Sequence, residues 1–180
     1  LDSCPYQFEW NIVDSSGCKI NIFYLEDNGV TIKAIPEAEV GMTERFQGQD
    51  RIVMDNASIR QFIEDMKDEN SKVGSKYVIP NSSNLVTTRV TDMSNLYENS
   101  YVQLGIQSWD VSNVTNMSSM FKNGMVDGGT RKTFRFWDVS NVQNFESMFQ
   151  DTISSTYWID NNENYLWVLG WDTSSASNMM

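Results

Sequence analysis

Apolar and polar positions follow two different periods along this chain. Tyr6-Gln-Phe8-Glu-Trp10-Asn-Ile12 alternates with a period of two, and residues 19–25 form a second apolar-rich run, so both predict strands. Glu26-Asp27-Asn28-Gly29 predicts a tight hairpin turn into a strand over residues 30–34, which Ile35-Pro36 ends. A second hairpin is expected around Gln47-Gly48, joining residues 42–46 to 51–54. From Asp55 the period lengthens. Ile59, Phe62, Ile63 and Met66 share one helical face, Arg60, Glu64, Asp65 and Lys67 lie on the other side, and Asp55-Asn56 caps the start, so a helix is predicted over residues 56–67. Residues 68–75 are mostly polar and predict a loop.

Beyond that loop one phrase recurs. Ser108 opens Ser-Trp-Asp-Val-Ser-Asn-Val-Thr-Asn-Met-Ser-Ser-Met-Phe, which returns at Trp137-Asp138-Val-Ser-Asn-Val142 and starts again at Trp171-Asp172-Thr-Ser-Ser-Ala176. A half-copy without the Trp-Asp opens the series at Val90-Thr-Asp-Met93. Successive markers Val90, Val114, Val142 and Ala176 give periods of 24, 28 and 34 residues, the mark of a stacked repeat. Met117, Met120 and Phe121 stand at i, i+3 and i+4 and suggest one face of a short helix. Residues 104–109, 134–137 and 165–171 are aromatic and branched and suggest strands. The Asp-Val-Ser-Asn step between them suits a turn. The expected fold is therefore an α/β repeat, a right-handed strand-turn-helix solenoid over residues 85–180. A small mostly-β unit (residues 1–54) and a capping helix with linker (55–84) precede it.

The phrase Trp-Asp-Val-Ser-Asn-Val-Thr-Asn-Met-Ser-Ser-Met-Phe closely resembles the repeat of BspA-like bacterial surface proteins, relatives of the leucine-rich repeats. The resemblance covers residues 85–180. It implies an extracellular or cell-surface location and a role in adhesion or scaffolding, and it brings no catalytic residues. The long inserts at 122–133 and 150–164 depart from the family pattern.

Composition narrows the chemistry. The chain has 180 residues, a net charge of −11 with no basic cluster, and no apolar run long enough to span a membrane, which argues against nucleic acid and membrane insertion of this segment. With no histidine, Ser-His-Asp and Cys-His catalysis and histidine metal sites are excluded. Cys4 and Cys18 are expected to pair as a short-loop disulfide in an extracellular protein. The aspartates that recur in register, Asp110, Asp138 and Asp172, read first as turn caps, with calcium ligation as the sharper alternative. Trp109, Trp137 and Trp171 read as stacked core, with sugar stacking as the alternative. Asn56, Asn81, Asn113 and Asn116 are N-glycosylation acceptors by sequence.

The leading expectation is a non-enzymatic surface module that binds a protein or glycan, with no cofactor unless calcium. Trp158, Trp171, Met179 and Met180 are its candidate partner contacts. The alternatives are a protomer that self-associates head to tail into an extracellular fibre and, more distantly, an acidic glycan hydrolase. The fibre expectation rests on the series stopping inside its last copy, which would leave Trp171, Met179 and Met180 at an open edge.

Overall fold

The computed structural model describes residues 12–15, 17–68, 71–79, 81–102, 105–127, 134–155 and 170–179. Among the described residues the first half folds as its turn chemistry dictates, while the strand expected over residues 6–12 lies outside them except for Ile12. Strands β1 (Phe23–Leu25) and β2 (Ile32–Ala34) form an antiparallel hairpin. The turn between them is shaped by Asn28, whose Oδ1 accepts from the amides of Val30 and Thr31, both at 2.9 Å. Strands β3 (Thr43–Phe46) and β4 (Gln49–Val53) form the second hairpin. Its two-residue turn has Gln47 at φ 51 and Gly48 at φ 79, the left-handed pair whose twist matches that of the flanking strands. Helix α1 (Asn56–Asp65) starts at Asp55, whose carboxylate accepts from the amides of Ala57 and Ser58. Its Ile59 and Ile63 are buried.

Four short strands run parallel in register: β6 (Lys76–Ile79), β8 (Ser100–Val102), β9 (Met125–Asp127) and β10 (Ile153–Ser155). Strand β5 (Lys72–Val73) closes one edge antiparallel to β6. Strand β7 (Leu85–Val86) pairs in parallel with β4, so a strand from the start of the array completes the sheet of the amino-terminal hairpin.

The expected strand-turn-helix solenoid does not form. Among the described residues the chain is mostly strands and turns, its one α-helix is α1, which precedes the repeats, and no motif segment is helical. Two strand expectations fail with it. Residues 134–136 form a 3-10 turn, residues 105–109 form no strand, and β8, β9 and β10 each follow a copy of the motif instead of preceding it. Residues 165–169 lie outside the described part.

The backbone hydrogen bonds give the reason. In the first full motif the amides of Met117, Ser119, Phe121 and Asn123 donate to the carbonyls of Asn144, Glu146, Met148 and Gln150 in the next copy, at 2.8, 2.8, 2.9 and 2.8 Å. The half-copy does the same one step earlier, from Met93, Asn95, Tyr97 and Asn99 to Asn116, Ser118, Met120 and Lys122. The intervening amides close three overlapping turns, as Met120, Lys122 and Gly124 do onto Met117, Ser119 and Phe121. An amide spent on the neighbouring copy is not available for the i−4 carbonyl of a helix. The alternation also needs left-handed residues at fixed places, and Asn95, Asn99, Ser119, Asn123, Ser147 and Asp151 all have φ between 51 and 57. Four of those six are Asn or Asp, the side chains that tolerate this conformation best.

Side chains repeat with the backbone. The rings of Tyr97, Phe121 and Phe149 stack with centroids 5.8 and 5.5 Å apart and planes within 6°. Each motif tryptophan sends its indole N–H back to the preceding copy: Trp109 to Ser82, Trp137 to Ile106 and Trp171 to Phe134, at 3.2, 3.1 and 2.8 Å. Trp137 and Trp171 are themselves stacked, 6.4 Å apart. Met93, Met117, Met120 and Met148 fill the same core.

At the amino-terminal side α1 continues the ladder with side chains. The amides of Thr115 and Gln143 each donate to a carbonyl of the copy before, but for the half-copy that acceptor is Asn56 Oδ1, which takes Thr91 N at 2.8 Å and Asp92 N at 3.1 Å. Arg60 covers the carbonyls of Asp92 and Ser94 beside it. Asn56→Ala should therefore cost about 1 kcal/mol, modest because Thr91 is solvent-exposed. Asn56→Asp, which keeps the acceptor, should cost less. Urea unfolding of the two variants measures the difference, and equal losses would refute the acceptor role.

Candidate binding site

The β1–β2 hairpin and the segment that follows it lie on the array through these hydrogen bonds. Ile32 N donates to Ser108 O at 2.9 Å and Ala34 N to Thr88 Oγ1 at 3.0 Å, while Arg89 reaches back to the carbonyls of Ala38 and Pro36 at 2.7 and 2.6 Å. This docking sets the hairpin turn against the Trp-Asp step of the first full motif. Between them is a pocket of about 120 Å³, lined by Glu26, Asn28, Thr31 and Lys33 on the hairpin side and by Asp110, Ser112, Phe136 and Asp138 on the array side.

The recurring aspartates do one thing in common. Oδ1 of Asp110, Asp138 and Asp172 accepts from the amide two residues on, that of Ser112, Ser140 and Ser174, at 3.1, 3.1 and 3.0 Å. This is an Asx turn. The amide and side chain of Ser174 hold the Asp172 carboxyl below its ordinary pKa. Of the three only Asp110 is buried. It is 2% exposed, its Oδ1 also accepts from Ser112 Oγ at 2.7 Å, and its Oδ2 has no hydrogen-bond partner. Lys33 Nζ stands 3.9 Å from Asp110 Oδ1 and 2.6 Å from Glu26 Oε1. Burial works against the Lys33 ammonium, but the hydrogen bond to Glu26 and the nearby charges of Asp110 and Glu26 outweigh it and raise its pKa. The same hydrogen bond lowers that of Glu26. The arrangement is a charged cluster beside a buried carboxylate, able to hold hydrogen-bond donors.

The expected sites scatter around this geometry. Asp110 and Asp138 share the pocket and Asp172 does not line it, and among the described residues no group of three or more Asp, Glu, Cys or His is placed to hold a metal ion. The faces of Trp109 and Trp137 are buried in the core, so they are not offered to a sugar. Trp171 is half-buried against the core and Met179 is 61% exposed. Trp158, Met180 and Cys4 lie outside the described residues, while Cys18 is disulfide-bonded. Of the asparagines, Asn56 and Asn113 already use their amide nitrogen as a donor, to Thr91 Oγ1 and Thr88 O, and Asn116 bonds the Asp92 carboxyl. Asn81 is exposed, with its Oδ1 on Ser83 N. Sequence reasoning missed Lys33 and Glu26. Their only signal was a pair of opposite charges flanking a hairpin turn.

Several carboxylates are held charged by the fold, which fixes the sign of the pH dependence. Donors on Ser58 lower the pKa of Asp55. Burial pushes that of Asp92 up, but donors on Ser94 and the charge of Arg60 prevail and lower it. A depressed folded-state pKa adds stability above the unfolded value, and that stability is lost as pH falls through the folded one. The urea midpoint should hold steady between about pH 5 and 7 and drop below about pH 4, the ordinary carboxylate range. A midpoint unchanged down to pH 3 would contradict this assignment.

Fold and site together define a repeat protein whose copies are joined backbone to backbone, with an amino-terminal hairpin clasped over one of its turns. Residues 63–180 match the family described as "Mycoplasma protein of unknown function, DUF285", and the chain belongs to that family. No curated protein and no solved structure matches the chain. No helix among the described residues is long and apolar enough to cross a membrane.

Proposed function

We propose that the chain is a non-enzymatic extracellular or cell-surface module of the BspA-like kind that binds a protein or glycan on a surface. The observation that carries this reading is how the motif residues are used. Tryptophan, methionine and phenylalanine side chains fill the core, and Asp and Asn side chains hold turns. A motif spent on scaffolding leaves recognition to the segments between copies and to the amino-terminal unit. The disulfide at Cys18 supports an oxidising, extracellular setting, and the absence of histidine from the sequence supports a binding role. The test is binding of the full chain to immobilised matrix proteins and glycans, with the same glycans assayed for hydrolysis. Saturable binding without turnover is expected. Turnover of a glycan, or no binding together with recovery of the native protein only from the cytosol, would overturn the reading.

A further inference from the structure

We propose that Lys33 and Asp110 condense into an intramolecular amide that fastens the β1–β2 hairpin to the array, with Glu26 relaying the proton. The three groups converge from two parts of the chain: Glu26 Oε1 lies 2.6 Å from Lys33 Nζ and Asp110 Oδ1 lies 3.9 Å from it. Productive acyl transfer wants its reacting atoms, here Lys33 Nζ and Asp110 Cγ, at about 3–3.5 Å, and the four-carbon side chain of Lys33 has the freedom to swing toward that carbon.

The repeat supplies its own control. Asp138 and Asp172 make the same Asx turn while exposed, so the turn does not require burial or a lysine. Asp110 has both, and one of its oxygens has no donor. A buried carboxylate that is paired with its lysine only at 3.9 Å and has one oxygen without a protein donor is costly to keep. Condensation removes that charge and expels one oxygen. Oδ1 stays behind as an amide carbonyl and still accepts from Ser112.

The step balances without a co-reactant. Lys33 Nζ passes a proton to the Glu26 carboxylate, and its lone pair then forms the N–C bond at Asp110 Cγ. The second Nζ proton and the one held by Glu26 go to the departing Oδ2, which leaves as water, and Glu26 is returned as it began. One ammonium and one carboxylate become a neutral amide and one water, with nothing oxidised or reduced. The resting groups are ions, so the reaction is a slow, single maturation event.

Intact mass of the full chain, reduced at its disulfide and denatured, tests the proposal. The expected mass is lighter than the sequence by one water, with a branched peptide joining Lys33 to Asp110 after digestion. Sequencing that peptide separates the cross-link from a succinimide at Asp127-Gly128, which also loses water. Lys33→Arg keeps the charges and should fold with the wild-type circular dichroism but at full mass. Glu26→Gln should slow conversion roughly a hundredfold. A wild-type chain that folds and stays at full mass on prolonged incubation, or a water loss that persists in Lys33→Arg, would overturn the proposal.

Discussion

Phe121→Ala should destabilise the protein by about 3–5 kcal/mol and lower its melting temperature by roughly 6–20 °C. Phe121 is fully buried, and its ring lies against four others, those of Tyr97, Phe134, Trp137 and Phe149, at 5.8, 5.4, 6.4 and 5.5 Å. Removing it opens a cavity between copies that cannot close easily, because the backbone on both sides is pinned by the ladder. Its amide donates to Met148 and the amide of Tyr97 to Met120. Phe149→Ala, at the half-buried end of the ring stack, should cost clearly less. Thermal and urea unfolding of both variants measure this. A loss under about 1 kcal/mol for Phe121→Ala would mean that the stacked rings do not hold the copies together.

Gly105→Ala should be as damaging, for a different reason. Gly105 sits at φ +103, and a Cβ there would come 2.3 Å from Asn81 Oδ1 and 2.5 Å from the backbone nitrogens of both Ser82 and Ser83. The side chain of Asn81 can move, but the backbone of Ser82 and Ser83 is less free. Ser82 O accepts the indole N–H of Trp109, and Ser82 Oγ pairs with the Tyr97 hydroxyl. A displaced 81–83 segment therefore disturbs two buried aromatics at once. Left-handed strain and forced repacking together amount to about 2–5 kcal/mol. Gly41→Ala isolates the strain alone, since Gly41 is at φ +87 with nothing within 4 Å of the added Cβ, and should cost about 1–2 kcal/mol. Equal losses in the two variants would show that the close approach of residue 105 to the 81–83 segment is unimportant.

What could be read in advance was local. Asn28-Gly29 and Gln47-Gly48 mark their hairpins because each brings a glycine to a positive-φ turn position, and Asp55 with the Ile59, Phe62, Ile63 spacing marks α1. The motif itself misled, because Met117, Met120 and Phe121 have the spacing of a helix face and of a run of overlapping turns alike. The clue that separates the two was present in Asn95, Asn99, Asn123 and Asp151, polar residues recurring at left-handed positions. The strands of the array are three-residue runs such as Ser100-Tyr-Val102 and Ile153-Ser-Ser155, too short for alternation to register. Nothing local joins Lys33 to Asp110. Their approach depends on how the hairpin docks, through a contact such as Ile32 N to Ser108 O, and that is visible only in three dimensions.

Which carbonyl each motif amide addresses can be observed directly, as scalar couplings through the hydrogen bonds in an isotope-labelled sample. The ladder predicts correlations from Ser119 N to the carbonyl carbon of Glu146 and from Phe121 N to that of Met148, with matching ones from Asn95 to Ser118 and Tyr97 to Met120. A helical motif would instead couple Phe121 N to the carbonyl of Met117, four residues back, and finding that correlation in place of the Met148 one would contradict the inter-copy ladder.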